Sequence, residues 1–120
     1  METDLDRTLM ALADPTRRAI LQRLSGGEAR VTELARPFAM SLNAVSKHIR
    51  VLERARLVER RRAGRDHFLA VNPGSLDEAA SWIDRQRGLW TSRLDTLAAI
   101  LQAEDEAAAR HETQANESGQ

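Results

Sequence analysis

The stretch that decides the fold is SLNAVSKHIRVLER, residues 41–54. Val45, Ile49 and Leu52 recur at i, i+4 and i+7, the spacing of one buried helical stripe. Ala44, His48, Val51 and Ala55 form a thinner row beside it. Ser41, Asn43, Ser46, Lys47, Arg50 and Arg54 are left to face solvent, with Glu53 as the only acid. A surface helix is ordinarily laced with paired Glu and Lys. This one carries hydroxyls, an amide and positive charge, and so suits a negatively charged partner that also offers hydrogen-bonding edges.

Downstream the period changes. LVERRRAGRDHFLAV (57–71) alternates on either side of Gly64-Arg65, which predicts a two-stranded hairpin with Ala63-Gly64-Arg65-Asp66 as its tip. Asn72-Pro73-Gly74 ends it. From Leu76 helical spacing returns, with Ala79, Ile83, Gln86, Trp90, Leu94, Leu97 and Leu101 separated by three or four residues. Near-heptad spacing of that length predicts a long helix packed on another helix.

Upstream, LDRTLMALA (5–13) places Leu5, Leu9 and Leu12 on one helical face. Asp14-Pro15 is a helix start, because Asp can cap and Pro suits the first helical position. PTRRAILQRL (15–24) follows with Ala19, Ile20 and Leu24 inward, and SGGEA (25–29) stops it. VTELARPFA (31–39) predicts a short helix capped by Thr32, with Pro37 deep enough to strain it. Helix, helix, short helix, turn, helix, hairpin, long helix is the order of a winged helix-turn-helix. Its recognition helix (about 41–54) enters the major groove and its wing (about 57–71) touches the flanking backbone. The expected class is mainly α (α+β), with a two-stranded β wing and a long C-terminal dimerisation helix (about 76–101).

The 120 residues favour one domain, and at 42% hydrophobic and 3% aromatic its core must be aliphatic. The absence of cysteine excludes disulfides, thiol nucleophiles and thiolate metal sites. No apolar run approaches a membrane span, and METDLDR does not resemble a signal peptide, so a soluble cytoplasmic protein is expected. The formal net charge of zero hides a polarised chain. Lys47, Arg50, Arg54, Arg56, Arg60, Arg61, Arg62 and Arg65 face only Glu53, Glu59 and Asp66 within 41–67. Glu104, Asp105, Glu106, Glu112 and Glu117 outweigh Arg110 beyond residue 100. The expected organisation is therefore a domain over 1–103 and an acidic, disordered tail over 104–120.

Several separated blocks carry a family resemblance: LADPTRRAILQRL, VTELARPFAMSLNAVSKHIRVLERARLVERRRAGRDHFLAVNP and WIDRQRGLWTSRLDTLAAIL. Together they resemble the ArsR-type winged-helix repressors, and within them the metal-free branch often encoded beside START-like (SRPBCC) proteins. The resemblance implies a homodimer built through the first and last helices, which represses transcription and is released by an effector the sequence does not disclose. It assigns Leu5, Leu9, Leu12, Trp90, Leu94, Leu97 and Leu101 to the dimer interface. Metal-sensing members carry a Cys-x-Cys pair where this chain has Arg30 and Thr32, and the last helix lacks the spaced Asp and His of the other common site. No metal and no cofactor is expected. Arg56 stands where relatives usually have Gly at the helix-to-wing corner, a strained placement if that corner is left-handed. Asn43 stands where Pro or Gln is frequent.

For Ser41, Leu42, Asn43, Ser46, Lys47 and Arg50 the functional reading is contact with double-stranded DNA. Asn suits adenine N6 and N7, Lys guanine or a phosphate, and Leu42 a thymine methyl. The alternative is a solvated helix face. Of Arg60, Arg61, Arg62 and Arg65 at least two are expected on phosphates, Arg60, Arg62 and Arg65 foremost, with the minor groove as the other reading of Arg65 and with Arg61 on the opposite face of the hairpin from Arg60 and Arg62; the alternative is charge protecting an exposed edge. His48 is a DNA contact, a pH-sensitive group or a packed, hydrogen-bonded histidine. Trp82 and Trp90 are core or the lining of an effector pocket. An enzyme is not expected, since no nucleophile–base cluster or phosphate loop appears. The competing class is a winged-helix module that binds protein and not DNA, which would need an apolar recognition face.

Overall fold

The computed structural model describes residues 2–118, with side chains described to residue 115. Its elements are α1 (Asp4–Leu12), α2 (Pro15–Leu24), β1 (Ala29–Arg30), α3 (Val31–Ala35), α4 (Leu42–Arg54), β2 (Val58–Ala63), β3 (Asp66–Val71) and α5 (Pro73–Ser118). The chain up to Ser81 forms one compact unit, and the chain from Trp82 forms a second that consists of α5 alone.

Local chemistry sets the boundaries. Thr3 and Asp6 form a reciprocal capping box at the start of α1. Its hydrogen bonds with Thr3 hold the Asp6 carboxyl below the ordinary carboxylate value. The Asp14 side chain accepts from the backbone N–H of Thr16 (2.8 Å) and Arg17 (3.1 Å), with Pro15 leading α2. Ile20 and Leu24 are buried as expected, whereas Ala19 is exposed. The α3 helix is shorter than its expected 31–39 and is entered from Arg30, not Thr32. It ends at Ala35, so Pro37 lies outside the helix and displaces none of its hydrogen bonds, although Arg36 before it keeps helical dihedrals (φ −53°, ψ −46°).

The α4 helix ends in the pattern of a Schellman motif. Leu57 N–H donates to Leu52 C=O (3.0 Å) and Arg56 N–H to Glu53 C=O (3.0 Å), while Arg56 adopts φ 59°. Leu52 and Leu57, which this motif brings together, are both fully buried. At the hairpin tip Gly64 takes φ 63° between the paired Ala63 and Asp66, leaving a two-residue loop with glycine first, as type II′ requires.

The sheet has three strands in the order β1-β3-β2, all antiparallel, so the expected hairpin is present with one short strand added. Ala29 pairs with Leu69 and Arg30 with Phe68. The core of the first unit joins Ala11, Ile20, Leu24, Leu34, Val45, Ile49, Leu52, Leu57, Val58 and Leu69, with aliphatics supplying all of its buried bulk. Among the described residues Thr8 is the one buried polar side chain, and its hydroxyl donates to Asp4 C=O (3.0 Å).

The α5 helix differs from expectation at both ends. It begins at Pro73, where Asn72 Oδ1 accepts from Gly74 N–H (3.3 Å), so Asn-Pro-Gly starts a helix as well as ending a strand. It then continues to Ser118 instead of giving way to a disordered tail from 104; residues 119–120 of that expected tail lie outside the described residues.

Candidate nucleic-acid interface

Ser41 closes the N-terminus of α4 by accepting from Ala44 N–H (3.1 Å), as its position predicts. With that start fixed, helical geometry places Asn43, Ser46, Lys47, Arg50 and Arg54 on one stripe, spaced i, i+3, i+4, i+7 and i+11. Val45, Ile49 and Leu52 form the opposite stripe and are fully buried. Among the described residues none of Asn43, Ser46, Lys47, Arg50 or Arg54 has a side-chain hydrogen bond or an ion pair. Leu42, half exposed, projects beside them at the helix start, where unpaired backbone N–H groups add positive potential. The face is a row of unengaged donors on a rigid support, and it can form bidentate and phosphate contacts without first breaking internal ones.

The wing arginines divide by partner. Arg60 makes a two-pronged contact with Glu53 of α4, Nη2–Oε1 2.7 Å and Nε–Oε2 3.3 Å. Arg61 lies on the other face of the sheet, as the alternation predicts. It pairs with Glu28, and its guanidinium sits 4.7 Å from the Phe68 ring centroid. The Arg61 hydrogen bond holds the Glu28 carboxyl below its ordinary value and raises the guanidinium in turn. Arg62 donates to Gly64 C=O (3.2 Å), and Arg65 at the tip has no side-chain partner among the described residues. Arg60 is therefore first a brace between wing and recognition helix.

His48 belongs to a different face. Its Nδ1 is 3.2 Å from Arg17 Nη1 and 3.9 Å from Asp14 Oδ1, with the ring half-buried between α2 and α4. The guanidinium must donate, so Nδ1 accepts and the proton resides on Nε2. The packed alternative accounts for this placement. Arg17 also donates to Ala11 C=O (2.8 Å) and Met10 C=O (2.9 Å), and Arg18 to Leu12 C=O (2.8 Å). These two side chains satisfy the last carbonyls of α1, a role the sequence did not disclose because it depends on the α1–α2 corner. Burial raises the Asp14 carboxyl, but the Arg17 and Thr16 N–H bonds and the nearby charge of Arg17 outweigh it, leaving the group below its ordinary value.

On α5, Trp82, Ile83, Leu89, Trp90, Leu94, Leu97, Ile100 and Leu101 are all exposed, with Trp90 at 67%. Leu5, Leu9 and Leu12 of α1 are half-buried. Among the described residues no three His, Cys, Asp or Glu side chains converge as metal ligands, and no helix is long and apolar enough to cross a membrane.

A short helix, a turn and a second helix with a free polar face, followed by a β wing, define a winged helix-turn-helix of the DNA-binding kind. Comparisons with known proteins agree. Residues 12–61 match a family model described as a helix-turn-helix domain. The chain is 42% identical over 99 residues to the HTH-type transcriptional regulator Rv2034 of Mycobacterium tuberculosis (strain ATCC 25618 / H37Rv), covering 82% of this chain and 90% of that one. It is 29% identical over 79 residues to the transcriptional repressor SdpR of Bacillus subtilis (strain 168), covering 66% and 88%. The crystal structure of the ArsR family transcriptional regulator RHA00566 superposes with TM-score 0.71 at 40% identity, covering 74% of this chain and 98% of that one. The solution structure of the homodimeric winged helix-turn-helix DNA-binding domain Mb0332 from Mycobacterium bovis gives 0.55 at 26% identity, covering 76% and 82%. The protein belongs to the ArsR family of helix-turn-helix transcriptional regulators.

Proposed function

We propose that this regulator is a homodimeric cytoplasmic repressor that binds an inverted-repeat operator, with α4 in the major groove and the wing tip on the flanking backbone. The observation that carries this reading is the unengaged stripe Asn43–Ser46–Lys47–Arg50, opposite the buried stripe that fixes its direction. Ser41 and Leu42 complete the contact surface at the helix start, and Arg62 and Arg65 supply phosphate contacts from the wing. Dimerisation runs through the exposed apolar row Trp90, Leu94, Leu97 and Leu101 of α5, together with Leu5, Leu9 and Leu12 of α1. An apolar row of that length marks a protein contact, and its near-heptad spacing suits another helix. Repression is supported by the likeness to SdpR and dimerisation by the likeness to Mb0332. Hydroxyl-radical footprinting on the gene's own upstream region, with sedimentation of the complex, tests the proposal. The expected result is two chains per site and two protected half-sites centred about 10 base pairs apart. No protection, or a single half-site held by one chain, would overturn it.

A further inference from the structure

Beside the wing the fold gathers a second cluster of polar groups, only partly matched by acceptors. It lies where β1 ends at Arg30 and the edge of β3 runs on past it through His67 and Asp66. A cleft of about 220 Å³ opens there, lined by Arg30, Thr32, Arg60, Arg65, Asp66 and His67. Arg30 approaches Asp66 and Glu33 only at 3.8 and 3.9 Å, beyond hydrogen-bond distance. Arg65 and the Thr32 hydroxyl have no side-chain partner among the described residues, and His67 Nδ1 is enclosed without one. Glu53 matches the charge of Arg60, which leaves Arg30 and Arg65 to face Asp66 and a Glu33 that is shared with Arg23. Buried or cleft-lining donors ordinarily find acceptors, and here several converge on one space with too little acceptor to serve them. Because Arg60 lines the cleft while gripping Glu53, the cleft adjoins the recognition helix.

We propose that this cleft is a phosphate clamp: Arg30, Thr32 and Arg65 grip one backbone phosphate of the bound duplex in each protomer. The inference rests on the DNA-binding reading above and adds Arg30 and Thr32 to the interface. Asp66 and Glu33, 3.8 and 3.9 Å from Arg30, oppose the cleft's positive charge in the free protein, which makes the clamp weak for a small free anion and dependent on a phosphate held in place by the duplex. A phosphate contact is blind to sequence, so its loss has a different signature from loss of a base contact.

The test is fluorescence anisotropy of the full chain on its upstream fragment and on a scrambled duplex, across several salt concentrations. Arg30→Gln and Thr32→Val should weaken both duplexes alike, and Arg30→Gln should flatten the log–log salt slope by about 2 per dimer, one phosphate from each protomer. Arg30→Lys should restore most of that slope. Circular dichroism identifies any variant that fails to fold, in which case Arg65→Gln supplies the same readout. An unchanged slope in folded Arg30→Gln and Arg65→Gln, with wild-type binding intact, overturns the clamp and leaves the DNA reading standing. Titration of inorganic phosphate, followed by the amide signals of Thr32 and His67, separates the sources. Saturation at millimolar phosphate with no effect of the variants on DNA overturns the clamp in favour of a free-anion site. Salt-independent or absent binding to both duplexes overturns the clamp and the DNA reading together.

Discussion

Arg56 holds the corner between α4 and the wing at φ 59°, a conformation that costs an L-residue with a side chain roughly 1 kcal/mol. Its hydrogen-bond pattern needs that conformation whichever residue occupies the site. Arg56→Gly is therefore expected to raise unfolding stability by roughly 1 kcal/mol or somewhat less, read from chemical denaturation. Unchanged or lower stability would show that the corner is not strained. Ser41→Ala should cost about 1 kcal/mol by the same measurement, through loss of the bond to Ala44. Both positions were legible in the sequence, Ser41 from its place before an apolar period and Arg56 from its departure from the family's Gly. Arg17 and Glu53 were not, because their partners lie across tertiary corners that no spacing rule describes.

At the scale of elements, α4 and the hairpin followed from periodicity because each buries one face and exposes the other. Strand β1 escaped notice because two residues are too few to show alternation. The length of α5 escaped for a different reason. Apolar spacing reports packing, and it fades after Leu101, whereas Ala, Glu and Gln sustain a helix whose described side chains are exposed there. The Glu53–Arg60 brace ties α4 to the wing, so Glu53→Gln should release Arg60 and remove the only acid from the recognition helix. Stability should change by roughly 0.5 kcal/mol or less, while affinity for scrambled DNA rises at low salt; no rise would show that the pair does not restrain binding. At the α1–α2 corner, Asp14 has a lowered carboxyl value, so its stabilisation is complete above the ordinary value of 3.8 and fades as pH falls below it. Asp14→Ala should lower the melting temperature at neutral pH, with the gap to wild type closing below about pH 4. A gap independent of pH would rule out this role for the carboxylate.

For the whole molecule, the exposed apolar row of α5 is the surface that the proposed pairing with a second copy would cover. Leu97→Glu is expected to shift the sedimentation coefficient to that of a monomer and to weaken operator binding by more than tenfold, since two half-sites no longer bind as one. The zero net charge is no obstacle to DNA binding, because the cations cluster at 41–67 and the acids beyond residue 100. The regulator's function turns on the outward face of α4 reading DNA. The most direct measurement compares the affinities of wild type, Asn43→Ala and Lys47→Ala for the upstream fragment and for scrambled DNA at fixed salt. Each substitution is expected to cost about 1–3 kcal/mol on the native fragment, with Asn43→Ala leaving scrambled binding unchanged. Equal affinity of all three proteins for the native fragment would contradict it.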